Sequence, residues 1–384
     1  MKSLGSLNLN ALQRRACVLL SACALFWPAT LFAQRYLQTD LVSDIEGRAK
    51  NTDPHLVNPW GLARSTNGPW WVANNGTGTS TLYTRNGDIQ TLVVTIPGSP
   101  DSSQPGNPTG MVYNGSQDFA LAPGSPAFFI FVSEDGSISG WNPNVPMPGS
   151  TTAVTKVPGS AQSVLKGATI AQIGNERFLY VADFKQAKIK VYNTNFQQVW
   201  FFPFSFVDPF LLAKGFAPFN VRNIGGNLYV AFAKRVEGSN DEAHGAGLGF
   251  VDVFSPHGFF LGRLEHGDWF NAPWGLALAP SDFGSVSHKL LVGQFGSGEI
   301  LIFHPVTGRF EGKLHGQNDN VITIEGLWAL SFGSGALGGA DNSIPSGSGS
   351  ANTLYFTAGI NDEADGLFGT LTPAPGVLTQ GDGQ

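Results

Sequence analysis

Apolar residues recur along this chain in short, uninterrupted runs, and the segments between them are rich in Gly, Pro, Asn and other turn-forming residues. Short apolar runs with aromatic and β-branched residues are typical of strands buried on both faces. Almost no window shows a helical period without an interrupting Gly or Pro, so the pattern predicts an all-β chain. The main runs cover residues 70–73, 129–132, 179–182, 228–231, 290–293 and 354–357.

These runs belong to a repeat of about fifty residues, which is the length of one blade of a β-propeller. A Gly or Asn precedes each run, at positions 61, 110, 167, 220, 275 and 326. Further strands follow each run, joined by hairpin turns such as Asn86-Gly87, where Gly readily takes the positive φ that the turn needs. We therefore predict a six-bladed β-propeller of four-stranded blades.

The sixth repeat lacks a fourth strand, and an unassigned strand stands near the other end of the sequence. Residues 36–42 alternate suitably and have no repeat of their own, whereas the sixth repeat stops after the strand at 367–371. We predict that the N-terminal strand completes the last blade, because ring closure removes an exposed sheet edge. Truncation of residues 35–44 should then collapse stability.

The repeat runs through nearly the whole chain of 384 residues, so we expect one folded domain. Lys2, Arg14 and Arg15 followed by an apolar stretch and Ala33 resemble an export signal with a cleavage site. A competing pattern around Cys23 resembles the site at which a lipoprotein is lipidated. The expected divisions are a signal peptide at 1–33, a propeller domain at 34–373 and a flexible tail at 374–384.

Charge and composition exclude several kinds of partner. The net charge is −6, and loss of a signal with three cations and no acid leaves −9. Such a chain, without a basic cluster, is poorly suited to nucleic acid or anionic membranes. No second apolar stretch approaches membrane length. We expect an exported monomer, periplasmic or extracellular, without a transmembrane segment, whose ligand is a small molecule, a glycan or a protein.

First strands begin, and second strands end, at the same mouth of a propeller channel, so polar residues at these points are candidate ligand-binding residues. A polar mouth is also what contact with water alone would produce. The polar candidates, with the aromatic Phe184 beside Asp183, are Asn58, Asn74, Asn75, Asn107, Glu134, Asp183, Phe184, Asn220, Lys234, Gln294, Glu325 and Asn361.

Oxygen-bearing side chains among them raise the possibility of Ca²⁺ or another divalent cation, although the sequence establishes no cofactor. The candidate metal ligands are Glu134, Asp183, Asn220, Glu325 and Asp362. The acidic stretch at 361–366 is rich in oxygen ligands that suit Ca²⁺, but it lacks the spacing of an EF-hand loop, which favours a solvated turn. His55 and His244 are candidates for an acid, a base or a ligand, or are simply surface residues.

Two functions follow from these residues. The sequence contains no nucleophile elbow, phosphate-binding loop or nucleophilic Cys, which favours a binding module and leaves the catalytic residues unknown. The alternative is a lactonase-like hydrolase or lyase that uses a bound divalent cation to polarise a carbonyl group.

Five segments have a distinctive sequence: 58–63, 180–184, 217–221, 272–280 and 359–369. They resemble an exported bacterial propeller family, some of whose members carry a PEP-CTERM sorting tail. More distantly, the repeats are similar to NHL repeats and gluconolactonase-like propellers. The resemblance implies a propeller fold and export, and it implies no settled activity.

Overall fold

The computed structural model describes residues 35–99, 103–335 and 347–375. The predicted signal peptide at 1–33, the lipidation pattern at Cys23 and most of the predicted tail lie outside these residues. The described residues are nearly all β, and six small antiparallel sheets form the blades of a propeller. The helical exceptions are a one-turn helix, α1 (Pro209–Ala213), and a 3-10 turn at Gly284–Val286.

The strands follow one another blade by blade. The chain enters on β1 (Tyr36–Ser43) and β2 (Asn51–Thr52). Blade 1 contains β3 (Pro59–Arg64), β4 (Trp70–Asn74), β5 (Thr79–Tyr83) and β6 (Ile89–Thr95). Blade 2 contains β7 (Pro108–Tyr113), an inserted hairpin of β8 (Ala120–Ala122) and β9 (Ser125–Pro126), then β10 (Phe129–Ser133), β11 (Ile138–Trp141) and β12 (Val154–Val157). Blade 3 contains β13 (Leu165–Ile173), β14 (Glu176–Asp183), β15 (Lys188–Tyr192) and β16 (Gln198–Val199).

The second half of the chain repeats this order. Blade 4 contains β17 (Phe216–Ile224), β18 (Asn227–Arg235), the short extra strand β19 (Glu242–Ala243), β20 (Gly249–Phe254) and β21 (Phe260–Arg263). Blade 5 contains β22 (Pro273–Leu278), β23 (Leu290–Gln294), β24 (Ile300–Phe303) and β25 (Phe310–Lys313). Blade 6 contains β26 (Leu327–Phe332), β27 (Leu354–Ala358) and β28 (Leu367–Pro373).

The N-terminal strand closes the ring, as the sequence predicts. β1 runs antiparallel to β28, from Tyr36 opposite Pro373 to Ser43 opposite Leu367. The Tyr36 hydroxyl donates to the backbone oxygen of Phe283 at 2.7 Å, which ties the strand to blade 5. β2 then pairs in parallel with β1 as a fifth strand. The backbone groups that an open seam would expose are therefore paired.

Each innermost strand contains a β-bulge at the same structural position. In blades 1, 5 and 6 the pairing with the second strand shifts just before Leu62, Leu276 and Leu330. Comparable shifts occur in the other three blades. A bulge re-aims the side chain that it carries. The bulged position is occupied by Trp60, Thr109, Lys166, Phe219, Trp274 and Trp328, which we call the channel ring.

This register explains the recurring glycine, which directly follows the ring residue. A Cβ on Gly61 would lie 2.5 Å from the Thr109 oxygen of the next blade, and one on Gly167 would lie 2.1 Å from Asn220 Oδ1. Neighbouring innermost strands thus approach too closely for most side chains. In blade 6 the ring residue is Trp328, so the equivalent of this glycine is Ala329. The sequence repeat assigns that position to Gly326.

Candidate functional site

The channel ring closes the centre of the propeller with packed aromatic side chains. Trp60 and Trp328 stack with ring centroids 3.4 Å apart, and Trp274 meets both of them edge to face. Phe219 packs against the same two stacked indoles. All four side chains are buried. The ring therefore forms a floor between the upper mouth, where the innermost strands begin, and the lower end of the channel, where they stop.

One cation interrupts this floor. Lys166 is only 2% exposed, and its Nζ lies 4.7 Å from the centroid of the Trp60 ring. It donates to Glu134 Oε1 at 2.6 Å. Burial opposes the charge, but Glu134, Glu242 and Glu363 together outweigh burial and raise the pKa of Lys166. The upper mouth thus has a buried ammonium that is paired with Glu134 and further stabilised by the charges of Glu242 and Glu363.

Amide side chains connect the carboxylates to the floor. Asn75 Nδ2 donates to Glu134 Oε2 at 3.1 Å. Asn58 Nδ2 donates to Glu363 Oε2 at 2.6 Å, while Asn58 Oδ1 accepts from the Trp328 indole N–H at 3.0 Å. Burial raises the pKa of Glu363, although the Asn58 hydrogen bond opposes that effect. Asn58 therefore fixes both a floor indole and a carboxylate of the mouth.

An insertion in blade 4 supplies a histidine. β19 pairs with the end of β18, and this places Glu242 and His244 above the floor. His244 Nε2 lies 3.7 Å from Glu242 Oε1, and its imidazole meets Phe295 edge to face at 5.0 Å. Glu242 raises the pKa of His244, and Glu363 and Asp362 raise it further. Burial lowers this pKa but is outweighed. The mouth therefore contains a group able to carry a proton near neutral pH.

A cavity of about 290 Å³ lies beside these groups. Its lining combines an imidazole, an aromatic ring, two hydroxyls and three carboxylates with backbone from several glycines. The side chains are those of His244, Phe295, Ser297, Thr323, Glu325, Asp362 and Glu363. This volume and this mixture suit a small polar ligand with one apolar face.

The structure brings together part of the predicted set. Asn58, Asn75 and Glu134 lie at the mouth, bonded to one another or to the floor. Glu325 lines the cavity with Asp362, and it accepts the Asp362 backbone N–H at 3.3 Å. Phe184 is buried in the floor against Phe219.

Other predicted residues are used in the scaffold, three within their own blades and Asn220 between blades 4 and 5. Asn74 donates to Thr79 and Thr81, and Asp183 forms an ion pair with Lys190 at 2.8 Å. Asn220 donates to the Trp274 oxygen at 2.8 Å, and Gln294 accepts the Asn271 backbone N–H at 2.8 Å. All four side chains are buried, so they hold the scaffold rather than face the cavity.

Three predicted residues lie at the rim. Asn107 is exposed and donates to the Asn75 oxygen at 3.3 Å. Lys234 lies over Phe216 and lines a different cavity. Asn361 donates to Asp365 Oδ2 at 2.8 Å within its own loop.

The described residues contain no group of three or more His, Cys, Asp or Glu side chains placed to hold a metal ion. Of the five candidate ligands, Asp183 and Asn220 are bound to other protein groups, and Glu134 is bound to Lys166. In the acidic stretch, Glu363 accepts from Asn58 and Asp365 accepts from Asn361, so these carboxylates do not converge. The arrangement supports no preformed Ca²⁺ loop here.

The sets of candidate ligand-binding and metal-binding residues omit four residues of the mouth: Lys166, Glu242, His244 and Glu363. The sequence does single out His244 as a possible acid, base or ligand, and it places Glu363 in the acidic stretch at 361–366. Lys166 has a signal in the repeat, because it stands where the other blades have Trp, Phe or Thr. Glu242 and His244 lie in an insertion that no other blade shares. Their place above the floor depends on the β18–β19 pairing, which the repeat does not contain.

Among the described residues, no helix is long and apolar enough to cross a membrane. No protein-family model matches the sequence. The chain is 32% identical over 338 residues to uncharacterised protein R648 of Acanthamoeba polyphaga mimivirus. This alignment covers 86% of this chain and 78% of R648. A second mimivirus protein, L690, is 32% identical over 341 residues, which is 86% of this chain and 84% of the relative. The chain therefore belongs to the family of these two mimivirus proteins.

Two solved β-propellers are similar to the chain at low sequence identity. Virginiamycin B lyase from Staphylococcus aureus matches with a TM-score of 0.47 and 10% identity, over 88% of this chain and 99% of that one. The PQQ-bound aldose sugar dehydrogenase from Streptomyces coelicolor matches with a TM-score of 0.48 and 14% identity, over 88% and 98%. The propeller assignment itself rests on the six sheets and their closure.

Proposed function

We propose that this protein is an exported binding module that holds a glycan or another small polar molecule at the upper mouth of its channel. The observation that carries the proposal is the sealed aromatic floor beneath a set of bonded amides, carboxylates and a buried ammonium. The Phe295 ring, which lines the cavity above the floor, can pack on the apolar face of a sugar, while amides and carboxylates bind hydroxyl groups. Fixed partners hold these side chains in place before a ligand arrives, which lowers the entropic cost of binding.

Export is supported by the cationic and apolar pattern of the first 33 residues and by the resemblance to an exported bacterial family. The module then works in the periplasm or outside the cell, as a monomer. Lipidation at Cys23 is the alternative form of export. An envelope protein that presents a polar loop is the alternative kind of partner for the same mouth.

The test is a screen of the purified protein on a glycan array and in thermal melts with small polar molecules. Hits are then measured by calorimetry with Glu325→Gln and Glu363→Gln. Each change should weaken binding by roughly tenfold, because it removes a charged acceptor from the cavity. Glu311→Gln, on the outer strand of blade 5 and paired with Lys289, should bind like the parent. Equal affinity in all four proteins would place the ligand elsewhere.

A second candidate is a lactonase-like hydrolase or lyase, and the His244–Glu242 pair beside the cavity favours it. An imidazole with an adjacent carboxylate can move a proton to or from a bound substrate. In the form that needs a divalent cation, metal would copurify with the protein and chelation would abolish turnover. Turnover of a lactone panel that is lost in His244→Ala would favour the enzyme, whereas binding without turnover favours the module.

A further inference from the structure

The lower end of the channel has a separate cavity, of about 320 Å³, on the far side of the channel ring. Two arginines reach it from opposite blades: Arg64 from the end of β3 in blade 1 and Arg222 from β17 in blade 4. The polar side chains beside them are neutral, and no Asp or Glu belongs to the lining. These neutral groups are Tyr113, Thr169, Asn223 and Ser331.

Neither guanidinium meets a carboxylate among the described residues. Arg64 donates through Nε to the Phe332 backbone oxygen at 3.0 Å, and it lies 5.5 Å from the centroid of the Trp70 ring. The Arg222 backbone pairs with β18, but its side chain has no hydrogen bond or ion pair with any described residue. Arg263 shows the contrast, because it pairs with both Asp208 and Asp252. Its charge is neutralised, whereas the charges at the lower end are not.

Arg222 also departs from the repeat. The equivalent position in the other blades, three residues beyond the ring residue, holds Ala63, Val112, Thr169, Ala277 and Ser331. These are small side chains where the innermost strands converge. Arg222 is part-exposed, so its guanidinium keeps some water but gains no protein partner, and a partial loss of hydration without a partner is costly. The fold tolerates this cost at one blade only.

The electrostatics of the pair agree with this geometry. Burial lowers the pKa of Arg222. Burial, together with the nearby charge of Arg222, lowers the pKa of Arg64 to about 10. Both shifts mean that each cation is less stable here than in water. An anion between the two arginines would offset both the lost hydration and the mutual repulsion.

We propose that the lower end of the channel binds the oxyanion group, carboxylate or phosphate, of a small ligand between Arg64 and Arg222. The planar guanidinium fork matches two oxygens of such a group. Thr169 Oγ1 already accepts the Asn223 N–H at 3.2 Å, so its own hydroxyl proton is available to the anion. The aromatic floor separates this site from the upper mouth, so it stands independently of the proposed function.

The experiment combines thermal melts and calorimetry of the purified chain with sodium phosphate and with sodium malonate. Sodium chloride at matched ionic strength reports simple screening. Phosphate or malonate should raise the Tm beyond the effect of chloride, since a ligand that binds only the folded state stabilises it. A larger rise with phosphate identifies a phosphate site, and a larger rise with malonate identifies a carboxylate site.

Arg222→Gln should abolish this rise, and in chloride buffer it should melt above the parent, because an unpaired charge has been removed. Arg64→Lys keeps the charge but loses the fork, and it should bind at least about tenfold more weakly. Arg309→Gln, at an exposed turn, should respond like the parent. A response equal to that of chloride, or one retained in Arg222→Gln, would overturn the proposal. Glu363→Gln at the upper mouth should leave the anion response unchanged.

Discussion

At the level of single residues, Lys166 provides the buried positive charge of the upper mouth. Equivalent positions in four blades carry aromatic side chains that pack together. Lys166 keeps its stem in this floor while its ammonium meets Glu134. The burial of an unpaired ammonium would be unfavourable, so the carboxylates around it are a condition of its presence there. Charge at the mouth is therefore built into the packing of the floor.

We expect His244 to titrate above the ordinary histidine value of 6.5, because Glu242 stabilises the imidazolium. A histidine whose folded-state pKa is raised contributes stability that is full below pH 6.5 and is lost as the pH rises through the raised value. The measurement is an NMR titration of the imidazole resonances. In Glu242→Gln the His244 midpoint should fall towards 6.5.

Glu237→Gln provides the matched control, because Glu237 is an exposed glutamate of the same insertion. Its effect on the His244 midpoint should be negligible. If His244 titrated at 6.5 in the parent, or if its midpoint did not change in Glu242→Gln, the carboxylate would not govern the imidazole.

At the level of elements, the bulge in each innermost strand decides what the channel contains. The bulge directs one side chain per blade towards the channel axis, where these side chains form the channel ring. It also brings the next residue against the neighbouring innermost strand. The blade 4 insertion adds the other element of the mouth, since β19 extends the sheet over the channel. Blades with the same strands therefore contribute unequally to the site.

Gly167→Ala should destabilise the protein by about 1–3 kcal/mol, because overpacking of a close backbone contact costs energy of this order. The new Cβ would lie 2.1 Å from Asn220 Oδ1 and 2.8 Å from Asn220 Cα. Chemical denaturation measures the change. Gly262→Ala on β21, whose Cβ would meet nothing within 4 Å, should leave the free energy of unfolding nearly unchanged or slightly raised. Similar stabilities for the two variants would rule out a close contact between blades 3 and 4.

At the level of the whole molecule, stability depends on closure of the ring. Both cysteines lie in the first 33 residues, so no disulfide joins the blades of the described domain. β1 supplies the fourth strand of blade 6 and also contacts blade 5 through Tyr36. One short strand therefore holds the two ends of the chain together.

Deletion of residues 35–43 should lower the Tm by roughly 10 °C or more, or prevent folding, because it exposes the β28 edge and opens the core of blade 6. Circular dichroism melts give the comparison. A synthetic peptide of residues 35–46, added in trans, should restore part of the lost stability, and a peptide of the same composition in scrambled order should not. A truncated chain that melts like its parent would refute the role assigned to β1.

The placement of site residues was predictable from the sequence only in part. Asn58, Asn75 and Glu134 follow from strand order, because first-strand starts and second-strand ends share a mouth. Asp183 and Gln294 satisfy the same rule, yet their side chains turn into their own blades. Strand order gives the height of a residue along the channel, whereas the local bulge and the available partners decide its direction.

The number of blades, the strand order and the closure by residues 36–42 were determined by the sequence alone, because apolar period and turn chemistry are local properties that recur with each repeat. The composition of the two channel ends was decided only in the tertiary structure. Asn58 and Glu363 are 305 positions apart in the chain, yet they share a 2.6 Å hydrogen bond. Arg64 and Arg222 share one cavity from opposite blades. Such contacts between distant parts of the chain depend on the curvature of the propeller and on individual β-bulges, which local sequence patterns do not encode.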